Sequence, residues 1–449
     1  MDRTAFGKKT PTSQGARVDR FVAHRDVISD LRRRRTRLSC EQSDVDIWVR
    51  KYQQKKKYVS YLDLVFGLKP LDSQAEQESG LERVKTWPCL PRMRSYLSTA
   101  DSILDLPNYS DAAFPELLDW SSDNILVAAL GRKYHKWSWW SQSIISQGLA
   151  REKIQCCKFD PTGELLALGT DNQSVEVHNN MLNKEVSATV CMCLEVDNYV
   201  CSITALDWSP TGNSIATGCS WGIVMSCTRN LQPISWRRWK GPILAVRVSP
   251  DSRYVAVTPV KSHRIVLMSW PTLELLTHMY SESWTVKTLT WHPWRSALLG
   301  VGAVAKTNEA QISLWDAPSS KIRDSVIPTF HSYTIDSMLF SHRTGELVLS
   351  LWNTEQASNN VATSSQLVVM SDPKTVVDRW GEGRSGLDRV RTMVFNPDGT
   401  KLATATIDED LIIWNFLPED KKEKKRTNRR RFSAIPVYLD VTSYGYSLR

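Results

Sequence analysis

The sequence predicts an all-β fold, a seven-bladed propeller, on three observations. A turn motif recurs seven times at blade-like spacing, apolar strand-like runs flank each copy, and a short apolar run ahead of the first copy can complete the last blade.

The motif is an apolar run ending in an aromatic residue or Val, followed by Ser, Asn or Asp, usually Pro, and a turn. Its copies are Trp120-Ser121-Ser122-Asp123, Phe159-Asp160-Pro161-Thr162-Gly163, Trp208-Ser209-Pro210-Thr211-Gly212, Val248-Ser249-Pro250-Asp251, Trp291-His292-Pro293-Trp294, Phe340-Ser341-His342-Arg343-Thr344-Gly345 and Phe395-Asn396-Pro397-Asp398-Gly399. Their successive spacings of 39, 49, 40, 43, 49 and 55 residues bracket the roughly 40 to 45 residues of a four-stranded blade. Most units end in a strand that closes on Trp or another bulky apolar residue: Tyr134 to Trp137, Val175 to Val177, Ile265 to Trp270, Ile312 to Trp315, Leu367 to Met370 and Leu411 to Trp414. One small sheet cannot cover both of its faces, whereas seven stacked around an axis cover one another. The run Ser102-Ile103-Leu104-Asp105-Leu106-Pro107 is expected to be the outer strand of the last blade and so to close the ring.

The chain of 449 residues and 51.1 kDa is long enough for a large core, and its 41 % hydrophobic content is ordinary for a globular protein. Its longest apolar stretches, such as Ile125 to Leu130, fall far short of the roughly 20 residues a membrane helix needs. The basic start has no apolar h-region behind it, so neither a membrane span nor secretion is expected. The nine cysteines run from Cys40 to Cys227 with no C-x-x-C pair. Their spacing suggests buried free thiols in a reducing compartment rather than a zinc framework, and no cofactor or metal is expected.

Charge divides the chain into a propeller over 100–418, an N-terminal arm over 1–99 and a basic tail over 419–449. Residues 1–60 carry 16 Lys/Arg against 7 Asp/Glu, and 419–431 carry 8 against 3. Removing these +9 and +5 clusters from the total of +9 leaves the remainder near −5. Basic arms around a mildly acidic body suit interaction tails. Arg32 to Arg35 and Lys55 to Lys57 repel one another, so most of the arm is expected to be disordered when free.

No catalytic constellation is legible. Gly300-Val301-Gly302-Ala303-Val304-Ala305 matches the outline of a dinucleotide fingerprint but lies in a propeller repeat with no helix after it, so it reads as strand and turn. The eight histidines are scattered singly, and no G-x-S-x-G or paired nucleophile and base occurs. The expectation is a protein that is not an enzyme.

Asp19-Arg20-Phe21-Val22-Ala23-His24-Arg25 resembles the C-box of the Fizzy and Fizzy-related coactivators of the anaphase-promoting complex, a family of WD-repeat propellers. Ile103 to Pro107, Leu118-Asp119-Trp120-Ser121-Ser122 and the Leu448-Arg449 end resemble the same family in the same order. Only Trp315-Asp316 keeps the Trp-Asp dipeptide. The resemblance implies a substrate-recognition coactivator of this ubiquitin ligase that promotes ubiquitination and degradation of cell-cycle proteins, meiotic ones included. Its implied partners are ligase subunits and substrates carrying a D-box, such as cyclins.

On the family's pattern, Asp19, Arg20, Phe21, Val22 and Arg25 dock on the ligase, with Ala23 in place of a Pro. Leu448 and Arg449 make a second attachment, and two weak contacts together raise avidity. Asp105 and Glu409 are implied to bind the degron Arg, and Leu104 to line the pocket for its Leu. Thr307 and Arg389 match a second site that reads the KEN box. There, however, Val260 and Ser262 replace two asparagines and Thr334 replaces a glutamine. Losing side-chain amides removes donors and acceptors together, so KEN recognition is expected to be weak or lost in this diverged branch.

The residues alone leave a second reading, a non-enzymatic scaffold whose basic arms bind nucleic acid or other partners. It predicts affinity that falls steeply with salt. The coactivator reading requires neither nucleic acid nor a membrane, and places the chain in cytoplasm and nucleus.

Overall fold

The computed structural model describes residues 87–97, 100–109, 116–193, 200–280, 284–307, 309–317, 321–326, 333–353, 365–373, 375–381 and 387–418. Asp19 to Arg25, Leu448, Arg449 and the basic clusters lie outside them. Every element formed by the described residues is a strand, and no described helix is long and apolar enough to cross a membrane.

Seven four-stranded antiparallel sheets form the blades. In chain order they span 118–149, 154–190, 203–238, 243–280, 284–326, 333–380 and 390–415, the seventh completed by Ala100–Asp105. The first strand of each blade packs against the first strands of its neighbours around the ring, and the fourth is outermost. Ala100–Asp105 runs antiparallel to Asp410–Asn415 with Leu104 opposite Leu411 and Asp105 opposite Asp410. The chain's early strand therefore closes the ring, as the sequence predicts.

The strands expected to end each unit are in fact third strands. A fourth follows in six blades, for example Ser143–Leu149 and Lys184–Val190, and both of these have the burial pattern of an exposed strand with little apolar alternation. The outer strand faces solvent on three sides, so its sequence carries little of the pattern that marks buried strands.

Neighbouring blades are joined by repeated devices. Asp119, just before the motif Trp of blade 1, accepts the backbone N–H of Phe159 in blade 2 at 2.7 Å, and Asp207 accepts that of Val248 in blade 4 at the same distance. The indoles of Trp208 and Trp291 donate to Lys158 O and Arg247 O of the preceding blade at 3.1 and 2.9 Å. Each device satisfies a buried polar group, which would otherwise cost about 1–3 kcal/mol. The expected strand reading of the fingerprint-like glycines holds, because 298–305 is the second strand of blade 5. A Cβ on Gly302 would come within 2.9 Å of Ile335 in blade 6, so the glycine lets the two blades approach.

Residues 87–97, which precede the first repeat and so fall in the expected arm, pack against blades 5 to 7. Trp87 is fully buried and meets Phe340 edge-on. Arg92 is buried between Glu346 and Asp378, with ion-pair distances of 2.9 and 2.7 Å, and its guanidinium stands 4.1 Å from the ring centre of Phe416. His292 Nε2 donates to Pro88 O at 2.8 Å while its Nδ1 accepts the Trp294 N–H at 3.1 Å, which fixes a neutral tautomer.

In an antiparallel blade, the starts of the first and third strands and the ends of the second and fourth share one face of the ring. Asp105, Thr307, Arg389 and Glu409 all occupy such positions.

Candidate functional site

The closing strand and the turn before the third strand of blade 7 form one edge of this face. The second strand of the blade ends at Thr406 and the third begins at Asp410. The Thr406 hydroxyl accepts the Asp410 N–H at 3.1 Å, and Ile407 N–H donates to Arg389 O at 2.9 Å. The turn is held at both ends, and Glu409 sits in it at φ +69°. This left-handed conformation is one that Gly or Asn adopts at lower cost than Glu.

Leu106 N–H donates to Glu409 O at 2.6 Å, which brings the end of the closing strand against the turn. Asp105 and Glu409 are thus neighbours across the strand edge, Asp105 exposed and Glu409 half-buried. Leu104 differs. Strand alternation turns it to the other face, where it packs, partly buried, on the core between blades 7 and 1. Ile103, which the sequence analysis gives no role, shares the outward set with Asp105 and is 60 % exposed. Period-two alternation is the signal that could have separated Leu104 from Ile103 and Asp105.

Three further carboxylates extend this edge. Asp388 is pushed up to about 6, chiefly by burial, then by its hydrogen bond with Asp408 and the charges of Asp408 and Asp410. Burial alone would raise this carboxyl; the smaller contributions from Asp408 and Asp410 add negative charge at the edge, which a guanidinium would relieve.

The residues of the second expected site each make contacts within the chain. Arg389 donates from Nε and Nη2 to the two carboxylate oxygens of Asp336 at 2.7 and 2.6 Å and lies 5.7 Å from the Trp352 ring centre. The Thr307 hydroxyl donates to Glu309 at 3.2 Å, that of Thr334 to Trp352 O at 3.1 Å, and that of Ser262 to Arg264 O at 3.3 Å. Val260 offers only backbone, and its N–H is taken by Pro242 O at 2.7 Å.

The family profile described as WD domain, G-beta repeat matches residues 194–225 and 383–415. Protein cortex of Heliconius erato is 60 % identical over 455 residues, covering 100 % of both chains. The chain belongs to the cortex family. The wider Fizzy-like relationship holds at lower identity: an Arabidopsis thaliana protein named cell division cycle 20.5, cofactor of APC complex, is 25 % identical over 358 residues, 77 % of this chain and 74 % of its own. A chain in the crystal structure of the mitotic checkpoint complex superposes with a TM-score of 0.60 at 18 % identity, covering 78 % of this chain and 99 % of that one, which supports the propeller fold. As a cortex-family propeller with relatives of this kind, the chain is a WD-repeat protein related to anaphase-promoting-complex cofactors.

Proposed function

We propose that this cortex-family chain is a substrate-recognition coactivator of the anaphase-promoting complex with no catalysis of its own. Asp105 and Glu409 hold the Arg of a D-box, as in cyclins, against the acidic edge of blade 7. The observation that carries this reading is that edge: ring closure brings the backbone of the Asp105 strand end against the Glu409 turn, next to Asp388, Asp408 and Asp410. Leu104 shapes the site from beneath, and the exposed Ile103 offers apolar surface beside the acids. Asp19, Arg20, Phe21, Val22 and Arg25 dock on ligase subunits, with Leu448 and Arg449 as the second attachment.

KEN recognition is absent in this proposal. Arg389 already spends its fork on Asp336, and the side chains at 260, 262, 307 and 334 supply no amide.

Fluorescence anisotropy with the full chain and labelled peptides tests the proposal. A D-box peptide should bind, its Arg→Ala version should bind at least tenfold more weakly, and a KEN peptide should bind no better than a scrambled control. Equal binding of the D-box peptide and its Arg→Ala version would overturn the site. A pull-down of ligase subunits with the full chain, Arg20→Ala and a chain lacking Leu448 and Arg449 tests attachment; no subunits captured by the full chain would overturn the coactivator role.

A further inference from the structure

Four cysteines that lie far apart in sequence meet at the seam between blades 2 and 3. Cys191 and Cys193 follow the outer strand Lys184–Val190 of blade 2, Cys201 precedes the first strand Ile203–Trp208 of blade 3, and Cys219 ends that blade's second strand. All four are buried, at 1 to 2 % exposure, and their Sγ atoms all lie within 4.8 Å of one another. Cys193 Sγ and Cys219 Sγ are 3.5 Å apart.

We propose that Cys191, Cys193, Cys201 and Cys219 form a structural site for one thiophilic divalent cation, zinc, that ties the blade 2 to blade 3 crossover to the ring. Zn–S bonds of about 2.3 Å in a tetrahedral arrangement place sulfurs about 3.8 Å apart. The cluster is already near that spacing, so binding needs shifts of about 1 Å or less rather than a rearrangement of strands. The donor set is also the right one, because four soft sulfurs with no oxygen among them select zinc over calcium or magnesium.

The surroundings support a metal thiolate. Cys219 Sγ accepts the Ile223 N–H at 3.3 Å, and an amide aimed at a ligating sulfur offsets its negative charge. The ligand backbones are anchored. Cys191 N–H donates to Gln173 O at 2.9 Å, Gln173 N–H donates to Cys201 O at 2.6 Å, and Cys219 pairs with Ile203 in the sheet. Three elements that would otherwise converge through thiols alone are thereby held in register. The chain turns at Met192, directly after the outer strand ends at Val190, and the turn brings Cys191 and Cys193 into the same cluster. On binding, each thiol gives its proton to solvent and its sulfur electron pair to the metal, so four S–H bonds are exchanged for four S–Zn bonds.

Spacing rules miss this site because it has no C-x-x-C knuckle. Its ligands come as C-x-C, a single Cys on the return, and a Cys one hairpin later. The site lies on the ring face that also carries Asp105 and Glu409, because Cys191 follows a fourth strand and Cys219 ends a second.

The test uses the full chain expressed with zinc and purified without chelator. Elemental analysis should find about one zinc per chain, and exchange with cobalt(II) should give the intense visible bands and near-ultraviolet charge transfer of a tetrahedral thiolate site. Cys191→Ser and Cys219→Ser should each cut bound metal at least fivefold. Cys227→Ala, a buried thiol of the same core outside the quartet, should retain it. The cobalt spectrum of the unmodified chain stands even if a variant fails to fold. Absence of zinc together with no cobalt spectrum would overturn the site and leave buried thiols only. A mass two units low per bridge in the unreduced chain, showing Cys193 joined to Cys219 or another pair of the quartet, would overturn it in favour of a disulfide.

Discussion

Glu409 holds a backbone conformation that costs free energy at the edge of the candidate site. A non-glycine residue at φ +69° carries strain of about 1 kcal/mol that Gly would relieve. Replacing Glu409 with Gln, which keeps the length and hydrogen-bonding reach of the side chain and removes its charge, should change stability in a urea titration by no more than about 1 kcal/mol, while D-box peptide affinity falls at least tenfold. Loss of stability and binding together would instead mark Glu409 as part of the fold. Glu409 between Asp408 and Asp410 looks like a solvated turn, and only the family pattern singles it out; its backbone strain and its closeness to Asp105 are visible in the structure alone. Leu104 and Asp105 show the converse. They are adjacent in sequence, yet alternation sends them to opposite faces of the closing strand.

The segment of residues 87–97 acts as an element of its own. It carries no repeat motif to mark it, because its anchors are single residues: Trp87, Cys89, Arg92 and Leu97. Arg92 joins two carboxylates from blade 6, and Asp378 also accepts the Ser95 hydroxyl and the N–H groups of Tyr96 and Leu97. Arg92→Ala would leave Glu346 and Asp378 buried without their cation, and chemical denaturation should show a loss of about 3–5 kcal/mol. His292 makes the same attachment pH-dependent. Burial beside Pro88 pushes it down to about 4, against about 6.5 in the unfolded chain. Between those values the unfolded chain binds more protons, so the stabilisation is fully present above pH 6.5 and is lost as pH falls toward 4. Urea unfolding at pH 7.5 and pH 4.5 should show this as a decline of about 3 kcal/mol, which His292→Gln should flatten.

At the scale of the whole molecule, closure decides both stability and site. The strand Ala100–Asp105 covers the third strand of blade 7, buries part of Leu104 between blades 7 and 1, and brings Asp105 to the turn. Replacing it with six residues of Gly and Ser should lower stability by about 3 kcal/mol or more and broaden the thermal transition. The uncovered edge of Asp410–Asn415 should also make the chain associate, measurable by light scattering. Closure is supported from within the ring. Arg247 of blade 4 pairs with Glu116, just before blade 1, across the axis between blades that are not neighbours. Burial raises the cost of such charges, and the Asp119–Lys158 pair at 3.0 Å beside them shows the same solution of matched signs.

Repeat number, β character and closing strand are all legible in the sequence, because they rest on local patterns that recur: an aromatic, a turn and a buried strand, seven times over. It also indicated the family, through short motifs kept in order. What it could not determine is which distant residues meet. The outer strands lack a buried pattern, Asp336 neutralises Arg389 from another blade, and Cys191, Cys193, Cys201 and Cys219 converge across a blade seam. Each of these depends on how one sheet packs against the next, and that geometry exists only once the ring has closed.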